Sequence, residues 1–221
     1  MSGIIDQSRL AREAKEFYVN LSSEQTQKLD TFACMLLEAN KTMNLTAITD
    51  PREIEIKHFL DCIALSSLDL IGQHVLDLGT GAGFPGIVMA VVCPNKQYTL
   101  IDSTAKKIRF VQSVCAALDL TVEVFQARAG EIKDKELLGS FDTVTARAVA
   151  PLERLIPAAF PLLKKKGKLM AMKSRNVTVE LQQAKPTMTK YGATALGSYE
   201  YLLPGGVFRQ VIMLKKIESR L

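Results

Sequence analysis

The chain has 221 residues, 48% hydrophobic and 23% charged, with a formal net charge of +5: an ordinary composition for a soluble globular protein with a sizeable core, and mildly basic enough to permit a nucleic-acid partner without requiring one. Cys34, Cys62, Cys93 and Cys115 are spaced too far apart for a zinc knuckle or a CxxC redox pair and read as reduced thiols in a cytosolic protein, so neither a metal site nor a disulfide framework is expected. The charged start, MSGIIDQSRLAREAKE, is not a signal peptide, and the most apolar run, Phe84 to Cys93, is about half the length of a membrane span.

Residues 1 to about 70 read as helices. Ser22 and Gln25 have capping-box spacing, and Leu29, Phe32 and Leu36 follow at helical intervals until the helix ends near Asn40. "KTMNLTAITDP" is a polar connector up to Pro51, and a second amphipathic stretch, Ile54 to Leu68, carries His58 and Asp61 one turn apart. Those two either pack the helix or face a pocket together. From His74, which opens a strand and reads as structural, the period changes. Strands are predicted at 74–78, 98–102, 121–125, 141–145 and 167–172, with helices at about 86–92, 104–118, 130–138 and 152–164 between them. This alternation argues for a parallel sheet with helices on both faces. A polar helix at about 177–190 then leads into two strands around Pro204-Gly205-Gly206, an antiparallel hairpin. The division expected is a helical segment over 1–70 and an α/β domain over 71–221.

The segment HVLDLGTGAGFPG, His74 to Gly86, spends four glycines (79, 81, 83 and 86) at the end of the first predicted strand. In an open α/β sheet ligands bind beyond the carboxyl ends of the strands, and glycine lets backbone turn with positive φ and a ligand approach closely. Pro85 suits the first turn of the following helix, with Phe84 at the pocket rim. Gly81 to Gly86 matches GxGxxG, and Asp102 follows 21 residues after Gly81, as a ribose-binding acid would. On that motif alone a nicotinamide dinucleotide fits. Asp77 pulls the other way: in the pocket floor its carboxylate would repel a pyrophosphate and welcome the ammonium of S-adenosylmethionine. Asp102 can accept from both ribose hydroxyls in either case.

The segments MNLTAITDP, IKHFLDCIAL, VLDLGTGAGFPG, TLIDSTAKKIRFV, TARAVAPLERL and LMAMKS together resemble the RsmG/GidB family of bacterial enzymes, over about Asn44 to Lys216. The resemblance implies methyl transfer from S-adenosylmethionine to N7 of a guanine in 16S ribosomal RNA. It also implies a class I, Rossmann-like methyltransferase sheet of seven strands, with the hairpin last and a helical cap first. By position, Gly79 and Phe84 match cofactor-loop contacts, with Gly81 and Gly83 in the same loop. Asp102 and Ser103 match the ribose segment, Ala129 and Gly130 a backbone contact to adenine, and Arg147 a cofactor residue that is also expected to face the substrate. Cys62 and Ser174 depart from the family pattern, which commonly has serine after H-x-x-D and glycine after Lys173.

What is absent agrees with N7. The loop after the fourth predicted strand reads T-A-R-A-V-A rather than the D/N-P-P-Y of adenine amino methylation, and the chain has no Pro-Cys nucleophile for pyrimidine C5. Guanine N7 offers a free lone pair, so no catalytic base is assigned and catalysis can rest on positioning and electrostatics. The RNA is expected at His58, Asp61, Lys173 and the cluster Lys106, Lys107 and Arg109, cations that sit unfavourably in the first turns of a helix. Lys164 to Lys166 are expected to end the 152–164 helix, where cations suit the helix dipole. The partner is then 16S rRNA, the small subunit or an assembly intermediate, met in the cytoplasm by a monomer with no membrane contact. A dinucleotide-dependent oxidoreductase and a non-catalytic RNA-binding module are the alternatives.

Overall fold

The computed structural model describes residues 3–69, 71–132, 134–173 and 177–217. The cap begins with α1 (Gln7–Ala14), started by the Asp6 side chain accepting from Arg9 N. In α2 (Ser23–Met43) the reciprocal bonds of Ser22 and Gln25 form as the spacing predicts, and the helix ends where Asn44 takes a left-handed conformation. Next come α3 (Pro51–Ile54), a π-helical turn over Glu55–Leu60, and α4 (Asp61–Ser66) in one continuous run. The π turn is the surprise in a stretch predicted as a regular amphipathic helix. It buries Glu55 and His58, at 0% and 6% exposure, and Asp61, at 3%, opens α4 directly after it. Such turns recur at functional sites.

The remaining elements are β1 (His74–Leu78), α5 (Gly86–Val92), β2 (Gln97–Asp102), α6 (Ala105–Ala117), β3 (Val122–Gln126), β4 (Phe141–Arg147), α7 (Leu152–Ala159), β5 (Leu163–Lys173), α8 (Thr178–Tyr191), β6 (Ala193–Leu203) and β7 (Val207–Lys216). The seven strands lie in the order β3-β2-β1-β4-β5-β7-β6, with β7 antiparallel to both its neighbours and the others parallel. Strand order reverses between β1 and β4, so a crevice opens above Leu78 and Arg147. One hydrophobic cluster packs α2, the π turn, α4, α5 and α6 on one face of the sheet, through Leu29, Phe32, Phe59, Ile63, Val75 and Val114. A second packs α7 and α8 on the other through Leu76, Val144, Leu155, Leu169 and Ile212. Among the described residues no helix is long and apolar enough to cross a membrane.

Two expectations need correction. The described residues of 130–138 form no helix: Asp134 O accepts from Leu137 N and Leu138 N in a single turn, and positive-φ glycines, Gly130 and Gly139, lie on either side of it. So short a segment, with few apolar residues, cannot sustain a helix by propensity alone. Lys164 to Lys166 do not end a helix either. Helix α7 stops at Ala159, just before Phe160-Pro161, and the lysines lie on β5, where Lys164 pairs with Asp142 at 2.9 Å. The cation at the end of α7 is Lys216, which donates to the carbonyls of Phe160 and Leu163. Ser174 lies outside the described residues.

Candidate active site

The loop after β1 is tied down from below. Gly79 N and Thr80 N both donate to Ile101 O at 2.9 Å, and Gly81 N donates to Asp102 Oδ2 at 3.0 Å. The other Asp102 oxygen accepts from Thr104 N at 2.8 Å, so this buried carboxylate joins the ends of β1 and β2 while keeping lone pairs for a ligand. Beside it a cavity of about 370 Å³ is lined by Gly79, Gly81, Asp102, Ser103, Ala127, Arg128, Ala129 and Arg147. A second cavity of about 400 Å³ lies between the loop, the cap and the hairpin. Its walls include Thr46, His58, Asp61, Thr80, Phe84, Lys173 and Arg209. Gly79, Gly81, Arg147 and Ala148 line both, so they are two lobes of one crevice at the switch point. A larger groove of about 880 Å³ lies at the opposite, amino ends of β1 to β3, where none of the predicted cofactor or RNA residues lines it.

Arg147 connects the lobes. Its guanidinium lies 4.8 Å over the Phe84 ring, donates to Lys57 O at 3.2 Å and to His58 Nδ1 at 3.3 Å, and sits 3.5 Å from Asp61 Oδ2. Arg209, from β7, shares that carboxylate at 3.4 Å, and the Tyr201 hydroxyl of β6 donates to it at 2.7 Å. One buried carboxylate therefore organises two guanidiniums, which is what keeps three charges tolerable below the surface. The His58 ring stacks on Phe84, centroids 4.4 Å apart, and Phe84 stacks in turn on Phe32 at 4.9 Å. Burial, with the neighbouring Arg147 charge, holds the His58 pKa down at about 3, so the ring is neutral and a poor proton acceptor.

The cluster predicted from sequence is partly assembled. Gly79, Gly81, Asp102, Ser103, Ala129 and Arg147 surround the smaller lobe, and His58, Asp61, Phe84 and Lys173 join the larger. Phe84 is no rim residue: it is 4% exposed inside the stack. Lys173 reaches the lobe but its ammonium is bound to Ala150 O and Glu180. Three of the predicted cofactor residues line neither lobe. Gly130 is exposed beside Ala158. Gly83 is a packing glycine: a Cβ there would lie 2.3 Å from Ile87 Cδ1 and 3.3 Å from Phe32 Cζ. Asp77 is 1% exposed behind the loop, where its Oδ2 accepts from Gly86 N at 2.9 Å. Burial raises its pKa to about 6. It anchors the start of α5 and does not form the pocket floor, so its charge cannot directly choose between a pyrophosphate and an ammonium.

The basic cluster on α6 is also divided. Lys107 lines the smaller lobe 3.9 Å from Asp102 Oδ2, while Lys106 donates to Thr42 O in the last turn of α2. Exposed Arg109 has no hydrogen bond or ion pair among the described residues. Cys62 is fully buried in the core with its thiol pushed above the usual range, so that departure is a matter of packing. Sequence reasoning missed Thr46, Tyr201 and Arg209. Thr46 stands in the MNLTAITDP segment, within a polar connector whose pattern gives no sign that it faces a pocket.

A family model described as rRNA small subunit methyltransferase G matches residues 25–200. The ribosomal RNA small subunit methyltransferase G of Streptococcus pyogenes serotype M5 is 38% identical over 210 residues, covering 93% of this chain and 89% of its own. That of Desulfitobacterium hafniense is 42% identical over 187 residues, covering 84% and 77%. Among solved structures, a SAM dependent methyltransferase from Aquifex aeolicus has a TM-score of 0.56 at 19% identity, covering 76% of this chain and 94% of its own. TYW2 from P. horikoshii, in complex with MeSAdo, has a TM-score of 0.56 at 13% identity, covering 72% and 62%. At those identities the solved structures speak for the fold.

Proposed function

The chain belongs to the rRNA small subunit methyltransferase G family and is an S-adenosylmethionine-dependent rRNA methyltransferase; we propose that the atom it methylates is N7 of a guanine in 16S rRNA. The observation that carries the reading is the pair of lobes meeting at Gly79, Gly81 and Arg147. Asp102 and Ser103 would hold the ribose, the backbone around Ala129 the adenine, and the Gly79–Gly81 turn the methionyl end. The cradle fits: a Cβ at Gly81 would meet nothing nearer than Gly79 O at 4.0 Å, so the space above it is free for a ligand. When bound, S-adenosylmethionine supplies an activated methyl group on a sulfonium.

The larger lobe would take the target base. His58 and Phe84, stacked on each other, back the lobe from within the core, and Arg147 and Arg209 offer positive charge to the RNA backbone. N7 carries its lone pair already, so the chain need not move a proton, and a histidine held neutral with so low a pKa is consistent with that. Catalysis is then alignment of N7 with the methyl group in a preformed site. On this reading residues 71–221 carry the cofactor and residues 1–70 close over the target. The partner is 16S rRNA, the small subunit or an assembly intermediate, met by a monomer in the cytoplasm.

Two measurements test it. Calorimetric titration should show binding of S-adenosylmethionine and none of NAD. Borohydride and aniline treatment of the reacted RNA should break the chain at one guanine. Methyl incorporation without such a break would move the target away from N7.

A further inference from the structure

Thr46 is held more firmly than a residue of a polar connector needs to be. Asn40, in the last turns of α2, accepts from Leu45 N at 2.6 Å and Thr46 N at 2.9 Å through Oδ1, and its Nδ2 donates to Thr46 O at 2.9 Å. The Thr46 hydroxyl in turn accepts from Ile48 N at 3.0 Å. It also lies 3.0 Å from His58 Nε2.

The direction of that last bond follows from the other side of the ring. The Arg147 guanidinium can only donate, so His58 Nδ1, 3.3 Å from Arg147 Nη2, must be the acceptor. In the neutral ring the proton is then on Nε2, which donates to Thr46 Oγ1. A hydroxyl has two lone pairs and one proton. Both lone pairs are taken, by Ile48 N and His58 Nε2, and the proton has no acceptor among the described residues. Thr46 lines the larger lobe and is only half-buried, so this donor is available there.

We propose that Thr46 reads the target base, donating its hydroxyl proton to O6 of the guanine whose N7 is methylated. The inference rests on the guanine-N7 reading above. Guanine presents N7 and O6 as adjacent acceptors, whereas adenine presents N7 beside an amino donor. A hydroxyl with both lone pairs engaged can donate to O6 and cannot accept from that amino group. The Arg147–His58–Thr46 chain thus fixes the polarity of the site, and Asn40 fixes its position.

The test is a cycle with the base as one partner. Small-subunit particles are reconstituted with ligated 16S rRNA carrying either guanine or 2-aminopurine, which keeps N7 and lacks O6, at the methylated position. For the wild-type enzyme, loss of O6 should lower kcat/KM about tenfold, the worth of a buried hydrogen bond. Thr46→Val and Thr46→Ala should lower kcat/KM on guanine by a similar factor and methylate the two RNAs at ratios near one, which also controls for the altered basicity of N7. Thr46→Ser should restore the wild-type ratio, and S-adenosylmethionine affinity should be unchanged throughout. The same guanine preference in wild type and both variants would overturn the proposal, as would a wild-type enzyme indifferent to O6. If one variant fails to bind cofactor through misfolding, the other and the wild-type ratio still decide. A wild-type enzyme that forms no 7-methylguanosine on the guanine RNA fails one step earlier, and the parent reading falls with it.

Discussion

Gly81 and Gly83 stand two residues apart on one loop, both with positive φ, +61° and +101°, but a side chain would meet different surroundings at each. At Gly81 it would project into the crevice; at Gly83 it would strike Ile87 and Phe32 in the core. Gly81→Val should therefore abolish S-adenosylmethionine binding and leave a folded protein, at a conformational cost of about 1–2 kcal/mol. Gly83→Ala should lose about 1–3 kcal/mol of stability through overpacking and keep measurable cofactor affinity. Paired thermal melts and calorimetry check this, and the opposite pattern would relocate the cofactor. Two buried groups also make stability depend on pH in opposite senses. Asp77, raised to about 6, is protonated in the folded chain and ionised in the unfolded one between about pH 4 and 6, so its contribution is lost as pH rises through that window. His58, lowered to about 3, stays neutral while the unfolded ring takes up a proton below about 6.5, so its contribution is lost as pH falls. Each has a limiting slope of about 1.4 kcal/mol per pH unit, and the two oppose one another between pH 4 and 6. Relative to wild type, His58→Gln should tilt urea-derived stability downward with rising pH there, and Asp77→Asn should tilt it upward. Three parallel profiles would show that neither group titrates as placed.

Among the elements, those with a local repeat were legible in the sequence. The capping box of α2, the strand–helix alternation, the glycine loop and the Pro204-Gly205-Gly206 hairpin each occupy a short window, and each forms where its pattern lies. The 130–138 segment carried charges at helical intervals without enough apolar surface to bury, and the lysines after α7 looked like a helix end because lysine also suits an exposed strand. The meeting of Asp61 with Tyr201 spans 140 positions, and no local pattern encodes it. The same holds for Arg209, which reaches the site only because β7 inserts antiparallel beside β5. Helix α6 shows the limit of charge counting: Lys106 serves the carbonyl end of α2 and Lys107 the neighbourhood of Asp102, which leaves Arg109 as the exposed cation without a partner among the described residues. Changing Lys106 and Arg109 to alanine, with Lys107 retained, should lower the slope of log RNA affinity against log salt by one to two units, at about 0.7–0.9 per lost phosphate contact. Cofactor affinity should be unchanged. Parallel salt lines would make α6 a solvated face and leave the RNA path to Arg147 and Arg209.

At the scale of the whole molecule, the cap is not an appendage. Leu29 of α2, Phe59 of the π turn, Phe84 of the glycine loop and Val211 of β7 belong to one hydrophobic cluster, so the target lobe is built from segments that share a core. That arrangement suits a reaction that asks little of the protein beyond holding two partners in line, since a preformed crevice has its ordering entropy settled by folding. On the proposed reading, the carboxyl ends of β1 and β2 would hold the methyl donor, and the cap and hairpin would select what receives the methyl. The most direct test joins both halves. Wild-type protein is incubated with methyl-labelled S-adenosylmethionine and small-subunit particles whose RNA has not been modified, and the RNA is then digested to nucleosides. Label should appear in 7-methylguanosine alone, at no more than one methyl per 16S rRNA. Label in any other nucleoside, or none at all from a protein that binds S-adenosylmethionine, would contradict the account.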